Sequence, residues 1–291
     1  VADSFPATNH KPPATMYIVR SLVLSALLAA ASLRSAASQT TEYRSPAGVT
    51  YVSQPDTGGV ARAESALAAA PTDVHRIIQL GLAQSAIRRY REAIATFTRG
   101  IAIAPDSGIL YRWRGHRYLS VRQLDSARAD LEHGLRLDST LYGCWYHLGI
   151  VQYVTGDFAG AAAAFAHALP LAPDSGERAG SIDWSWMSLM RAGRPVEAQA
   201  VLDRNGSGPP GGNFYDVRLR LYRGRIGPDQ VVTPADTSDI ALATLSYGVG
   251  NWLLLRGDTA SARRWFERAV GSGGWPAFGF IAAEAELRRM K

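Results

Sequence analysis

The residues able to carry chemistry are few and spaced unfavourably for it. The six histidines, His10, His75, His116, His133, His147 and His167, never stand one helical turn apart around a glutamate, and the single cysteine, Cys144, cannot supply a thiolate cluster. No metal site and no cofactor are expected. A nucleophile elbow, a phosphate-cradling glycine loop and a dinucleotide fingerprint are all missing. Gly271-Ser272-Gly273-Gly274 has the glycines of a phosphate loop but lacks the Lys-Ser/Thr that should follow. The acidic residues Asp216, Asp229, Asp236 and Asp239 lie in one Pro/Gly/Thr-rich stretch, residues 205–240, and could assemble a hydrolase-like site of a cell-envelope enzyme. In such segments aspartates commonly cap turns and helices, so the chain is expected to be no enzyme. Tyr111-Arg112-Trp113-Arg114-Gly115-His116-Arg117-Tyr118 interleaves rings with guanidinium groups, as a surface that stacks bases and holds phosphates would.

The whole-chain balance argues against that last use. A formal charge of +6 over 291 residues is too mild to imply nucleic acid. The cations are almost all arginine, with lysine only at Lys11 and Lys291, which weakly favours carboxylate or phosphate partners. With 47% hydrophobic and 19% charged residues the chain can bury a sizeable core. One cysteine forms no internal disulfide, so stability must come from packing. Between Arg20 and Arg34 the residues Ser21 to Leu33 are uncharged and mostly apolar, and small Ser35-Ala36-Ala37 follow. This reads as a signal peptide within an N-terminal extension, residues 1–37, with Met16 as the expected true start and cleavage near Ala37. The run is too short for a stable membrane anchor, and a periplasmic or secreted location follows.

The elements that position these residues are announced by a repeat of 34 positions. Pro71, Pro105 and Pro173 share one lattice, with Ser139 at the missing step. Gly81, Gly115 and Gly149 share another, as do Ala93, Ala127 and Ala161, and Phe97, Leu131 and Phe165. Two antiparallel helices approach to about 8–10 Å only where small side chains meet large ones across the crossing. A proline then ends the second helix and turns the chain into the next pair.

These columns resemble the tetratricopeptide repeat (TPR) family. The resemblance implies an all-α solenoid of αα-hairpins, a right-handed superhelix with a degenerate middle and a C-terminal capping helix. The expected organisation is a disordered linker over 38–59 and a TPR array over 60–204. The array comprises a cap helix at 60–70, repeats at 74–107, 108–141 and 142–175, and a degenerate repeat at 179–204. A loop-rich segment over 205–240 and a terminal TPR plus capping helix over 243–291 complete the chain. A hairpin of this kind is stable only when stacked between neighbours, with polar ends. The final helix, with Glu284, Glu286, Arg288 and Arg289 in its last half, suits such an end. Leu221 to Ile226, followed by Gly250 to Asp258 and a closing helix, is similar to the NlpI-type periplasmic adaptor lipoproteins. The lipid-attachment cysteine of those proteins is absent here.

In the TPR family ligands lie on the concave face of the first helices, at repeat positions 2, 5, 9 and 12. Here these are His75, Ile78, Leu82 and Ser85, then Ile109, Arg112, His116 and Leu119, then Gly143, Tyr146, Ile150 and Tyr153. Carried over, they imply a non-catalytic scaffold binding a protein or peptide partner, with His75, Arg112, His116, Tyr146 and Tyr153 as the contacts and Arg117 on an exposed face. A self-associating structural solenoid, a homo-oligomer through its repeat ends, is the further alternative.

Overall fold

The computed structural model describes residues 39–205 and 213–291. The expected signal peptide and the Gly/Pro-rich run 206–212 lie outside the described residues. The fold is an all-α, TPR-type stack of αα-hairpins, preceded by one short antiparallel β-hairpin.

The described residues form thirteen α-helices: α1 (Gly59–Ala68), α2 (Val74–Ala86), α3 (Tyr90–Ile103), α4 (Gly108–Ser120), α5 (Leu124–Leu137), α6 (Tyr142–Thr155), α7 (Phe158–Ala168), α8 (Ser175–Arg191), α9 (Pro195–Arg204), α10 (Phe214–Tyr222), α11 (Asp239–Leu254), α12 (Thr259–Gly271) and α13 (Phe278–Arg289). Their starts follow from local chemistry. The side chains of Asp73, Asp157, Asp174, Asn213, Ser238 and Asp258 each accept a hydrogen bond from the backbone N–H three residues on, satisfying an otherwise orphaned donor.

Within each pair the two helices meet where the 34-residue columns require. A Cβ on Gly81 would fall 2.4 Å from the Phe97 ring, one on Gly115 2.9 Å from Leu131, and one on Gly149 2.7 Å from Phe165. Gly250 repeats the contact with Phe266 at 2.6 Å. In all four pairs the large residue stands sixteen positions after the glycine, so the first helices α2, α4, α6 and α11 seat the second helices α3, α5, α7 and α12 alike. Neighbouring pairs then stack through α3 on α4, α5 on α6 and α7 on α8. The slip of the lattice beyond the third repeat is taken up by a 3₁₀ turn, Leu169–Leu171, and by α8, which at 17 residues is longer than the 14-residue α6.

Two elements differ from expectation. Residues 38–59, read as a disordered linker, contain β1 (Thr41–Arg44) paired antiparallel with β2 (Thr50–Val52). Too short to be stable alone, this hairpin is fixed by tertiary contacts. Tyr43 stacks on Trp275, Tyr51 meets Phe280 edge-on, and Glu42 accepts the Arg91 N–H at the start of α3. The final helix α13 also closes the array differently from a solvent-facing lid. Glu284 and Glu286, read as part of a polar end, are only 5% and 2% exposed.

The reason is that α13 folds back against α6 and α11. Phe278, at its first turn, packs against Tyr146 and His147 of α6. Arg289, at its last turn, donates to the carbonyls of Tyr153 and Val154, at the C-terminal end of the same helix. The two helices therefore run side by side in the same direction. Arg191 of α8 donates to both oxygens of Glu286, and Arg88, in the turn after α2, pairs with Asp239 at the start of α11 at 2.6 Å. First and last repeats are thus tied together, and part of the concave face is filled by the chain itself.

Candidate functional site

The expected contact residues divide between open and filled parts of that face. His75 stands exposed at the start of α2, apart from the others. Tyr153 is wholly buried: its hydroxyl donates to Asn251 Oδ1 and accepts from Tyr247, both on α11. A partner cannot reach it while α11 is in place. Tyr146 is buried too, and its hydroxyl donates to that of Tyr215 on α10.

Arg112, His116 and Tyr146 do come together, and they bring residues that the repeat register did not single out. The Arg112 guanidinium lies 3.4 Å from the centre of the Trp113 ring. It packs against α6 at Gly143, where an added Cβ would clash with Arg112 Nε; α6 has room for this arginine only because position 143 is glycine. His116 stacks on His147 with ring centres 3.9 Å apart, and Phe278 of α13 touches both rings. Arg117 donates from Nη2 to His116 Nδ1 and lies over the Tyr90 ring at 4.8 Å.

Arg117 is the clearest departure. Expected on an exposed face, it is 7% exposed, because the Tyr90 ring at the start of α3 lies over its guanidinium and His116 flanks it. Phe278 likewise carried no usable signal, since what makes it a neighbour of His116 is the return of α13 from far along the chain, whereas His147 meets His116 directly where α6 packs beside α4.

The cluster is electrostatically unusual. Among the described residues neither Arg112 nor Arg117 forms an ion pair, whereas Arg114, on another face of α4, is held by both oxygens of Asp130. Arg112 Nη1 and Arg117 Nε are enclosed and have no hydrogen-bond partner. Burial, reinforced by the Arg117 cation, pulls Arg112 down to about 10. Glu177 opposes that pull through space, its carboxylate accepting from Tyr142. Burial and the neighbouring arginines hold His116 and His147 well below the usual histidine range. Both rings are therefore neutral at pH 7, and the His147 ring N–H at Nδ1 donates to the Gly143 carbonyl. The result is a group of hydrogen-bond donors with two fixed positive charges and no acid bonded to either.

The acidic residues of the loop-rich segment do not gather into a comparable site. Asp236 caps Thr233 through its N–H and hydroxyl. Asp239 is engaged with Arg88, and Asp229 is exposed in a short 3₁₀ turn, Pro228–Gln230. A cleft of about 310 Å³ is lined by Val217, Arg220, Ile226, Gln230, Val231, Thr233 and Asp236, so only one of the four aspartates faces it. Among the described residues no three His, Cys, Asp or Glu side chains stand where they could share a metal ion, and no helix is long and apolar enough to cross a membrane.

No protein-family model matches the chain, and no curated protein matches it. Solved structures that resemble it are helical-repeat proteins of low sequence identity. A tetratricopeptide repeat protein from Parabacteroides merdae is 15% identical with a TM-score of 0.48, the match covering 74% of this chain and 85% of that one. YrrB, described as a TPR protein with an unusual peptide-binding site, is 14% identical with a TM-score of 0.46, covering 73% and 93%. MamA is 16% identical with a TM-score of 0.44, covering 61% and 88%.

Proposed function

We propose that the protein is a non-catalytic interaction scaffold that holds a segment of a partner protein on the part of its concave face that α11 and α13 leave uncovered. One observation carries this reading. On α2 and α4 the residues Ile78, Leu82, Ile109, Arg112, Trp113 and His116 all remain partly exposed, while the equivalent residues of α6 are sealed by the chain's own helices. An apolar strip ending in an aromatic ring and a guanidinium is the composition of an anchoring surface. Export to the periplasm or beyond belongs to the same reading, supported by the uncharged run Ser21 to Leu33 and the small residues after it. The likeness to NlpI-type adaptors points to envelope proteins as partners.

A photo-crosslinking side chain introduced in place of Ile109, in the protein expressed in its native host, tests the reading. A discrete adduct is expected that weakens when Leu82→Asp is added and persists with the exposed, remote Val196→Asp. Absence of any adduct from Ile109, or an adduct indifferent to Leu82, would remove the scaffold assignment. Fractionation of the host with an antibody to the chain tests export separately.

A further inference from the structure

We infer that a cleft at the far end of α6, between the α4–α5 turn and α13, binds a small amphipathic anion, a short aliphatic chain with a phosphate or carboxylate head. The inference is independent of the groove reading above. Val154, in the cleft wall, lies roughly 16 Å along α6 from Gly143, and the arginines of the cleft belong to a turn and to the last helix.

The cleft holds about 200 Å³. Its apolar wall is formed by Leu124 of α5, Val154 of α6, and Ile281 and Ala285 of α13, the last three each 9% exposed or less. Arg122, Arg288 and Arg289 stand around the same space, and among the described residues no carboxylate lines it. A cleft whose charges share one sign, set over walls of low dielectric, concentrates its field on whatever enters.

The nearby acids do not cancel these cations. Glu284 is shared by Arg122 and the Tyr43 hydroxyl, and Glu286 by Arg191 and Arg289. Both carboxylates are sealed from solvent, at 5% and 2% exposed, so the open side of the cleft is cationic. The negative helix ends are answered as well: Arg289 donates to the Tyr153 and Val154 carbonyls at the end of α6, and Arg263 to the Met290 carbonyl that follows α13. Arg288 is left over. Its Nε donates to the Glu284 carbonyl one turn back at 3.4 Å, and its two terminal nitrogens have no partner among the described residues.

A guanidinium with both terminal nitrogens free offers a phosphate or carboxylate two parallel hydrogen bonds. Arg122 and Arg289, already fixed by their own bonds, add charge without having to move. Inorganic phosphate would satisfy the cations and leave the apolar wall wet, whereas an alcohol would do the reverse. Only a ligand carrying both parts uses the whole cleft, and the small volume keeps its chain short.

Calorimetry on the full chain tests this with straight-chain alkyl phosphates and alkanoates of two to ten carbons, with inorganic phosphate, hexanol and hexylamine beside them. Affinity should rise about 10- to 100-fold from inorganic phosphate to hexyl phosphate, as two or three methylenes leave water. It should then level off with longer chains, once the cleft is full. Hexanol and hexylamine should not bind detectably, and the two head groups are ranked by comparing hexyl phosphate with heptanoate. Arg288→Gln should weaken hexyl phosphate about 10- to 100-fold, the range of a charge-assisted hydrogen bond. Its urea midpoint should not change, because Arg288 is exposed. Arg220→Gln, equally exposed on α10, should leave binding intact. Hexyl phosphate binding no tighter than inorganic phosphate would reduce the cleft to a charged patch and overturn the inference. So would hexanol binding as well as the ester, affinity that climbs steadily with chain length, binding indifferent to Arg288→Gln, or no binding by any of the anions. None of these outcomes touches the scaffold reading, which the Ile109 adduct tests.

Discussion

Arg122 and Glu284, 162 residues apart in sequence, meet at 3.0 Å, and they are the join that closes the solenoid on itself. Arg122 occupies the turn between α4 and α5 in the left-handed region, at φ 63°. Arg88, one repeat earlier, does the same at φ 59°, and the corresponding turns later in the chain use Gly156, Gly193 and Gly257. A left-handed backbone costs a non-glycine residue about 1–2 kcal/mol. The two arginines tolerate it because both reach across to C-terminal elements, Arg88 to Asp239 and Arg122 to Glu284, where glycine could not.

Glu284 accepts from Arg122 and from the Tyr43 hydroxyl, and Arg122 also donates to the carbonyls of Ser120 and Trp275. Arg122→Gly relieves the turn but strands a carboxylate only 4% exposed. Breaking one side of a buried pair costs about 3–5 kcal/mol and relief of the turn returns about 1–2 kcal/mol, so urea unfolding should show a net loss of about 1–4 kcal/mol. Amide exchange over residues 41–52 should accelerate with it, because β1 is held through Tyr43. Unchanged exchange there would mean that the hairpin does not depend on this join.

How much of this the sequence disclosed depends on the distance over which each contact acts. Gly81, Gly115 and Gly149 were legible because each meets a partner sixteen positions away, and the same spacing recurs every 34 residues. The left-handed turns at Arg88 and Arg122 were hidden, since the residue there is not the glycine that marks such a turn elsewhere. The burial of Glu284, Glu286 and Arg117 was hidden for another reason. A charged side chain reads as solvent-facing until its partner is known, and the partners lie on helices that only the closed ring brings near. Of the candidate site, Arg112 and His116 followed from repeat register and His147 stands on the neighbouring first helix α6, whereas Phe278 followed from the return of α13.

Replacing the crossing glycines ranks the crossings. Glycine-to-alanine in a helix interior ordinarily gains about 1 kcal/mol, but overpacking a tight core costs about 1–3 kcal/mol. The added Cβ at Gly81 would meet a rigid ring at 2.4 Å, at Gly149 a ring at 2.7 Å, and at Gly115 a flexible leucine at 2.9 Å. Thermal melts should therefore place Gly81→Ala as most damaging and Gly115→Ala as least. Phe165→Leu combined with Gly149→Ala should cost less than the sum of the two, a coupling that a double-mutant cycle reads directly.

Cys144 should be chemically silent in the folded protein. Its thiol is wholly buried against Gly134, and burial pushes it up to about 12. Thiolates are the reactive form, so a thiol reagent at pH 8 should label the native chain far more slowly than the unfolded chain. Labelling at equal rates would place the start of α6 at the surface.

Acidification should destabilise the protein through His116 and His147. In the unfolded chain both titrate near pH 6.5, while in the fold burial and the two arginines hold them well below that. Their contribution is complete above pH 6.5. It is lost as the pH falls, because the unfolded state then takes up protons that the folded state refuses, at up to about 1.4 kcal/mol per histidine per pH unit. Asp183 works in the opposite sense. Burial pushes it up to about 7 against the pull of Arg218, so its contribution is present below about pH 4 and is lost as the pH rises towards 7. The two effects separate by difference: urea midpoints of the wild type and of His116→Gln/His147→Gln, measured from pH 7.5 to 5, should diverge, the variant losing less on acidification. Parallel curves would mean that both rings take up protons within the fold, and that the surroundings of Arg112 are open to water.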